Sequence, residues 1–217
     1  MRFFRLDASI RTDGSVSRSL ADEVEAAWRN ALPDAVVTRR DLGIDPLPPV
    51  WPDALAGKMA PPDARTDAHL RARAAAAHLV DELLEADAYL FAVPMYTFGV
   101  PQQVKHWVDL IITDDRADNT SVPLVPGRPA VLVTARGGGY APGTPREGWD
   151  HATPWLQRIL ADVWGLDLTV VSAELTAADY NPAMAHLQDL ARRQRADAHA
   201  AAAAAGSALA ARWPPAA

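Results

Sequence analysis

Apolar residues fall in unbroken runs at several places along the chain, and Leu90-Phe91-Ala92-Val93 is the clearest of them. A strand covered on both faces requires such a run, whereas a strand with one wet face alternates. Read this way, strands are predicted over 2–6, 35–40, 87–93, 129–134 and 166–173. Arg2 and Arg5 make the first less apolar than a central strand should be, and Arg39-Arg40 place the second near an edge. Between the strands the apolar spacing turns helical. Leu20, Val24, Ala27 and Trp28 mark a helix from Ser17 to about 31. Leu70, Ala74, Ala77, Leu83 and Leu84 supply the buried side of one over 66–86. Val104, Trp107, Val108, Ile111 and Ile112 follow Pro101, which stands where a first helical residue would. Trp155, Leu156, Ile159, Leu160, Val163 and Trp164 mark a helix from about 151. An alanine-rich helix over 182–211 is ended by Pro214-Pro215. Six prolines between 46 and 62 turn 41–62 into an extended surface excursion. Leu47, Val50, Trp51 and Leu55 pin it to the body.

Five strands alternating with helices predict an α/β fold, a doubly wound five-stranded parallel sheet with helices on both faces. At 217 residues the chain has room for one well-cored domain. That domain is read as 1–213, with a short tail at 214–217. No long apolar core opens the chain, so no signal peptide is expected. The alanine run at 200–205 is too short for a membrane span, and the cytoplasm is the expected compartment. The net charge of −6 argues against nucleic acid or an anionic membrane as partner, since both need a cationic surface. Cysteine is absent, which removes disulfides, thiolate metal sites and cysteine nucleophiles.

Three loops follow strands one, three and four at what this topology makes one edge of the sheet, where open α/β sheets bind ligands. The first carries Ser9, Thr12, Ser15 and Ser17 and runs into a helix N-terminus. Free backbone N–H groups, a positive dipole end and hydroxyls suit a phosphate. Equally, Ser15 or Ser17 only caps the helix. No GxxxxGK[ST] or GxGxxG pattern is present. The second loop, Pro94 to Pro101, is braced by proline at each end and carries Met95, Tyr96 and Phe98. The third, Arg136-Gly137-Gly138-Gly139-Tyr140, bares its backbone over three residues. A flexible turn is the alternative, and position on the sheet edge favours a ligand. Tyr96, Phe98 and Tyr140 stand beside glycine or proline in loops, where aromatics meet ligands more often than core.

Other chemistries find little support. There is no GxSxG elbow and no serine with a recognisable histidine and acid. The six histidines form no HExxH-like pair, so no metal is expected. Asp114, Asp115 and Asp118, with Asn119 beside them, lack the spacing of a calcium loop and read as a solvated charged stretch.

Pro94-Met95-Tyr96-Thr97-Phe98-Gly99-Val100-Pro101, followed by Lys105, Trp107 and Asp109, resembles the signature of the FMN-dependent NADH-azoreductases. These belong to the wider flavodoxin-like NAD(P)H:quinone reductases. Ser9, Ser15-Val16-Ser17, Arg136-Gly137-Gly138 and Glu174-Leu175 fall in that family's order, so the resemblance covers about 1–190. It implies a flavodoxin-like fold with FMN as cofactor and NADH or NADPH as donor. It implies an oxidoreductase that passes hydride in two half-reactions to a quinone, azo compound or related small acceptor. Ser9, Ser15 and Ser17, with the amide of Val16, would hold the FMN phosphate. Pro94 and Met95, Tyr96, Thr97 and Phe98 would wrap the flavin ring, and Ala135, Arg136, Gly137 and Gly138 would meet its pyrimidine end. Tyr96 and Tyr140 would orient the acceptor or pass a proton, and a homodimer is implied. Thr97 replaces the family's usual Asn, and the acidic 113–122 stretch replaces an Arg-Ala-Gly stretch and an aromatic. The alternatives are a flavodoxin-type electron carrier, a flavin reductase specialised for a biosynthetic metabolite, or a cofactor-free esterase or phosphodiesterase.

Overall fold

The computed structural model describes residues 1–118 and 122–213. The tail at 214–217 and Asn119 lie outside these residues. The five strands are β1 (Arg2–Asp7), β2 (Val36–Asp41), β3 (Ala88–Pro94), β4 (Pro129–Ala135) and β5 (Asp167–Ala173). All pair in parallel, in the order β2-β1-β3-β4-β5. The helices are α1 (Val16–Ala31), α2 (Trp51–Met59), α3 (Asp67–Glu85), α4 (Gln102–Ile111), α5 (Ala152–Gln157) and α6 (Gln188–Ala210). A wider π turn, Arg158–Val163, extends α5.

Two apolar layers sandwich the sheet. Phe3, Leu90, Val131, Val133 and Val171 face α1 and α6 through Leu20, Val24, Trp28, Ala198 and Ala202. Phe4, Leu6, Phe91 and Leu132 meet Leu79, Leu83, Trp107, Leu156 and Trp164 on the other side. β3 and β4 are buried at every residue, as their unbroken apolar runs require. Close α1–α6 packing depends on small residues. A Cβ at Gly206 would collide with the carbonyl of Val24 and come within 2.9 Å of Ala27 Cβ.

The structure corrects several local expectations. The 41–62 excursion is not extended throughout, because it contains α2. Pro52 sits in the first turn of that helix, where its missing N–H costs nothing, and 53–60 is proline-free. The buried face of α3 consists of Ala72, Ala76, Leu79, Val80 and Leu83, while Leu70 is 51% exposed and Ala74 is also outside. Alanine all round that helix leaves little contrast between its faces. Pro101 is the N-cap of α4 and not its first helical residue. The last helix begins as a 3₁₀ segment, Pro182–Leu187, before α6.

β1 is interior despite its arginines. Arg5 is 5% exposed and donates to Asp7 at 2.8 and 3.0 Å and to Glu25 of α1 at 2.9 Å. Burial works against the charge on Arg5, and its contacts with Asp7, Asp22 and Glu25 more than offset it, raising its pKa. The strand order reverses between β1 and β3, so the loops after these strands diverge and leave a crevice at the carboxyl edge.

Candidate functional site

A cavity of about 470 Å³ opens in that crevice, a size ordinary for a small-molecule site. The loop after β1 supplies Ser9, Arg11, Gly14, Ser15 and, at the start of α1, Val16 and Ser17. The ends of β3 and β4 and the loops after them supply Pro94, Met95, Tyr96, Ala135 and Gly137. Thr176, Asp179, Tyr180 and Arg195 come from beyond β5.

Ser15 caps α1, its Oγ accepting from Arg18 N, and lies 3.4 Å from Ser17 Oγ. Val16 and Ser17 therefore occupy the first turn, where backbone N–H groups have no intrahelical partner. Ser9, Ser15 and Ser17 are all buried. Two carbonyls of this loop are tied down by Arg18. Its Nη2 donates to Ser9 O at 2.6 Å, its Nε to Arg11 O at 3.0 Å, and its guanidinium clasps Asp41 at 2.5 and 2.8 Å. Burial opposes ionisation of Asp41, yet the Arg18 hydrogen bonds prevail and hold its carboxyl below the ordinary range. Gly43 is part of the same clasp. A Cβ there would strike the Ser9 carbonyl and lie 3.0 Å from Arg18 Nη2. Hydroxyls and unused N–H groups at a helix N-terminus, with Arg11 and Arg195 beside them, form a set of donors for a phosphate.

The glycine turn after β4 has the same one-sided character. The carbonyls of Arg136, Gly137 and Gly138 accept from the N–H groups of Thr176, Ala177 and Leu175 at 3.1 Å each. Among the described residues the N–H groups of Gly137, Gly138 and Gly139 have no protein partner. Arg136 does not line the cavity and is bound to Asp150 at 2.6 Å and Glu174 at 3.3 Å. Glu174 also accepts from Tyr140 N at 3.0 Å. Burial again opposes ionisation of Asp150, but hydrogen bonds from Thr153 and the charge of Arg136 lower its pKa.

Between these turns, Tyr96 and Gly99 exchange both backbone hydrogen bonds at 3.0 Å around Thr97 and Phe98. Thr97 has φ 47° and Phe98 φ 66°, left-handed conformations uncommon outside glycine and costly for a β-branched side chain. Tyr96 Oη accepts from Ile10 N at 3.1 Å. Of the residues expected from the sequence, Ser9, Ser15, Val16, Ser17, Pro94, Met95, Tyr96, Ala135 and Gly137 line one cavity. Thr97 and Phe98, at the tip of their turn, and Arg136, Gly138 and the buried Tyr140, in the glycine turn, do not line it.

The sequence reading missed Arg11, Gly14, Thr176, Asp179, Tyr180 and Arg195. Asp179 holds Arg195 at 2.6 Å while Arg195 Nε is buried without a partner. The one available signal was that the 174–181 loop, like the other three, follows a strand at the ligand edge. Among the described residues no cluster of His, Cys, Asp or Glu is arranged to hold a metal.

The chain matches a family model described as a flavodoxin-like fold over residues 1–200. It is 39% identical over 202 residues to an FMN-dependent NADH:quinone oxidoreductase of Frankia casuarinae, covering 91% of this chain and 94% of that one. A Streptomyces avermitilis protein of the same name is 38% identical, covering 96% of each. Among solved structures, an azoreductase from Bacillus anthracis superposes with TM-score 0.81 at 22% identity, over 96% of this chain and 99% of that one. An FMN-dependent NADH-azoreductase of the same species, in complex with FMN, gives 0.74 at 17% identity, over 97% and 100%.

Proposed function

We propose a function from the premise that this chain belongs to the flavodoxin-like family and, within it, to the FMN-dependent NADH:quinone oxidoreductases. It is an FMN-dependent oxidoreductase with NADH as donor, and we read its acceptors as quinones, azo compounds or similar flat molecules. The observation that carries the reading is the paired polarity of the two turns. In the first the carbonyls of Ser9 and Arg11 are engaged and the N–H groups opening α1 have no intrahelical partner, beside three buried serines; in the second three carbonyls are engaged and three N–H groups have no protein partner, beside the apolar Met95. A molecule with a phosphate at one end and an electron-rich ring edge at the other fits that donor set.

When bound, FMN supplies two-electron chemistry in alternating half-reactions, taking hydride from NADH and giving it to the acceptor. The protein's part is binding, orientation and electrostatics. Ser9, Ser15, Ser17 and the N–H of Val16 would hold the phosphate at the positive end of α1. Pro94 to Phe98 would flank the ring. The N–H groups of Gly137 and Gly138 would stabilise negative charge at its pyrimidine end, and their fixed carbonyls mean that they need no rearrangement to do so. Tyr96, already accepting from Ile10, keeps its own O–H proton free to orient an acceptor, while Tyr140, its N–H bound to Glu174, packs beside Gly138 outside the cavity lining. An electron carrier is set aside because relatives 38–39% identical over nearly their whole length are named as oxidoreductases.

We also propose a homodimer. Trp51, Leu55 and Met59 form an exposed stripe at i, i+4 and i+8 of α2, with Ile44 nearby in sequence, and such a stripe calls for cover. No described helix is long and apolar enough to cross a membrane. An NADH-linked reaction accords with the cytoplasm. The test is an absorption spectrum of the purified protein before and after anaerobic NADH, then after a quinone. A flavin spectrum that bleaches and recovers is expected, and a colourless protein that neither binds FMN nor oxidises NADH would overturn the reading.

A further inference from the structure

Three charged side chains meet at the glycine turn after β4. Arg136 pairs with Asp150 at 2.6 Å and with Glu174 at 3.3 Å, and each of the three side chains is only 13% exposed. Among the described residues Arg136 has no other acidic partner, and its Nε is buried without a hydrogen bond. Each acid is fixed a second time. Asp150 accepts from Ala152 N and Thr153 N at 2.9 Å and from Thr153 Oγ1 at 2.7 Å. Burial works against its charge, and these bonds together with Arg136 prevail. Glu174 Oε2 accepts from Tyr140 N at 3.0 Å and lies 3.6 Å from where a Cβ on Gly139 would be.

One carboxylate would neutralise Arg136. The second leaves the cluster with a surplus negative charge, and its bond to Tyr140 N is one that an uncharged amide could make equally well. The surplus is therefore the feature that bracing of the turn does not explain. It is attached to the turn whose Gly137, Gly138 and Gly139 N–H groups have no protein partner. Those N–H dipoles favour negative charge on a ring edge lying against them, and a fixed carboxylate nearby opposes it. Arg146 also approaches, its Nη1 3.0 Å from where a Cβ on Gly138 would be, but it is exposed and water screens it. The largely buried cluster is screened much less.

We propose that Glu174 is a positioning residue whose surplus charge, fixed to the glycine turn through Arg136 and Tyr140, holds the reduction potential of the bound cofactor down. The proposal rests on the flavin reading above. A lowered potential makes the loaded protein a stronger reductant toward acceptors that are hard to reduce.

The test titrates apoprotein anaerobically with oxidised and with reduced FMN, since the ratio of the two dissociation constants fixes how far binding moves the potential. Glu174→Gln keeps an oxygen for Tyr140 N and removes the charge. Affinity for reduced relative to oxidised FMN should rise on the order of tenfold, equivalent to about 30 mV in the two-electron potential. Asp150→Asn, which keeps an oxygen for Ala152 and Thr153, should move the ratio the same way. Both shifts should persist from about 20 to about 200 mM salt. Glu147→Gln, at an exposed acid of the same loop, should leave the ratio where it is. A residue that only braces the turn would weaken both forms of FMN alike. An unchanged ratio in either folded variant, or an equal shift in Glu147→Gln, would overturn the proposal and leave the flavin reading intact. Failure of the unaltered protein to bind either form would sink both.

Discussion

The phenolic oxygen of Tyr96 accepts from the backbone N–H of Ile10 at 3.1 Å. The loop after β3 is thereby joined to the loop after β1, across the point where the strand order reverses. Tyr96→Phe keeps the ring and removes the bond. Ile10 is exposed, so water can take over its N–H, and the cost should be about 0.5–1.5 kcal/mol. Titration of apoprotein with FMN should show affinity lowered roughly two- to tenfold, with the fold intact by circular dichroism.

Gly43 lies far from the cavity lining in sequence, yet its missing side chain lets Arg18 and the Ser9 carbonyl meet. Gly43→Ala should push the Ser9 segment out of place, because the obstructing atoms are backbone. We expect FMN affinity to fall more than in Tyr96→Phe, with riboflavin affected less than FMN. Equal losses for both flavins would mean that the clasp does not organise the phosphate end.

Thr97 and Phe98 occupy positive φ without being glycine. Asparagine adopts that region more readily, so Thr97→Asn should relieve about 1 kcal/mol of strain. Thermal unfolding should move up by roughly 2–4 °C. An unchanged or lower midpoint would show that Thr97 is held there by contacts worth more than the strain.

Acid should unpick the Arg18–Asp41 clasp. The folded pKa of Asp41 lies below its unfolded value, so its contribution is complete above about pH 4 and is lost as pH falls through the folded value. The same sign holds for Asp150 and Glu25. Urea midpoints measured from neutral pH down to about pH 3 should decline more steeply in the unaltered protein than in Asp41→Asn.

Gly206→Val should disturb α1–α6 packing, since backbone and Ala27 both stand in the way. A loss of about 1–3 kcal/mol is expected from overpacking, read as a lower urea midpoint at unchanged slope.

The five strands were legible because a sheet covered on both faces writes itself as unbroken apolar runs, and β3 is buried over its whole length. Ser15, Ser17, Met95 and Tyr96 were legible because they stand just after strands. Other features leave a fainter trace. α2 was masked by prolines that flank it and enter only its first turn. The face of α3 was misjudged because alanine gives nearly the same signal inside and outside, so Leu70 drew the eye although it is exposed. Arg195 enters the cavity from the second turn of α6 and Gly43 supports it from behind β2. Neither position carries a local pattern, and only the folded chain brings them to Ser9 and Ser15.

The segment after β5 has a double attachment. Leu175, Thr176 and Ala177 hold the glycine turn by its carbonyls, and Thr176, Asp179 and Tyr180 line the cavity, with Asp179 gripping Arg195. The backbone N–H groups that would set the reduction potential at one end and the side chains that would govern cofactor retention at the other are thus braced by the same short stretch. These two traits are not free to drift apart: a single change between 174 and 180 should shift both, whereas changes in the other loops can adjust them one at a time.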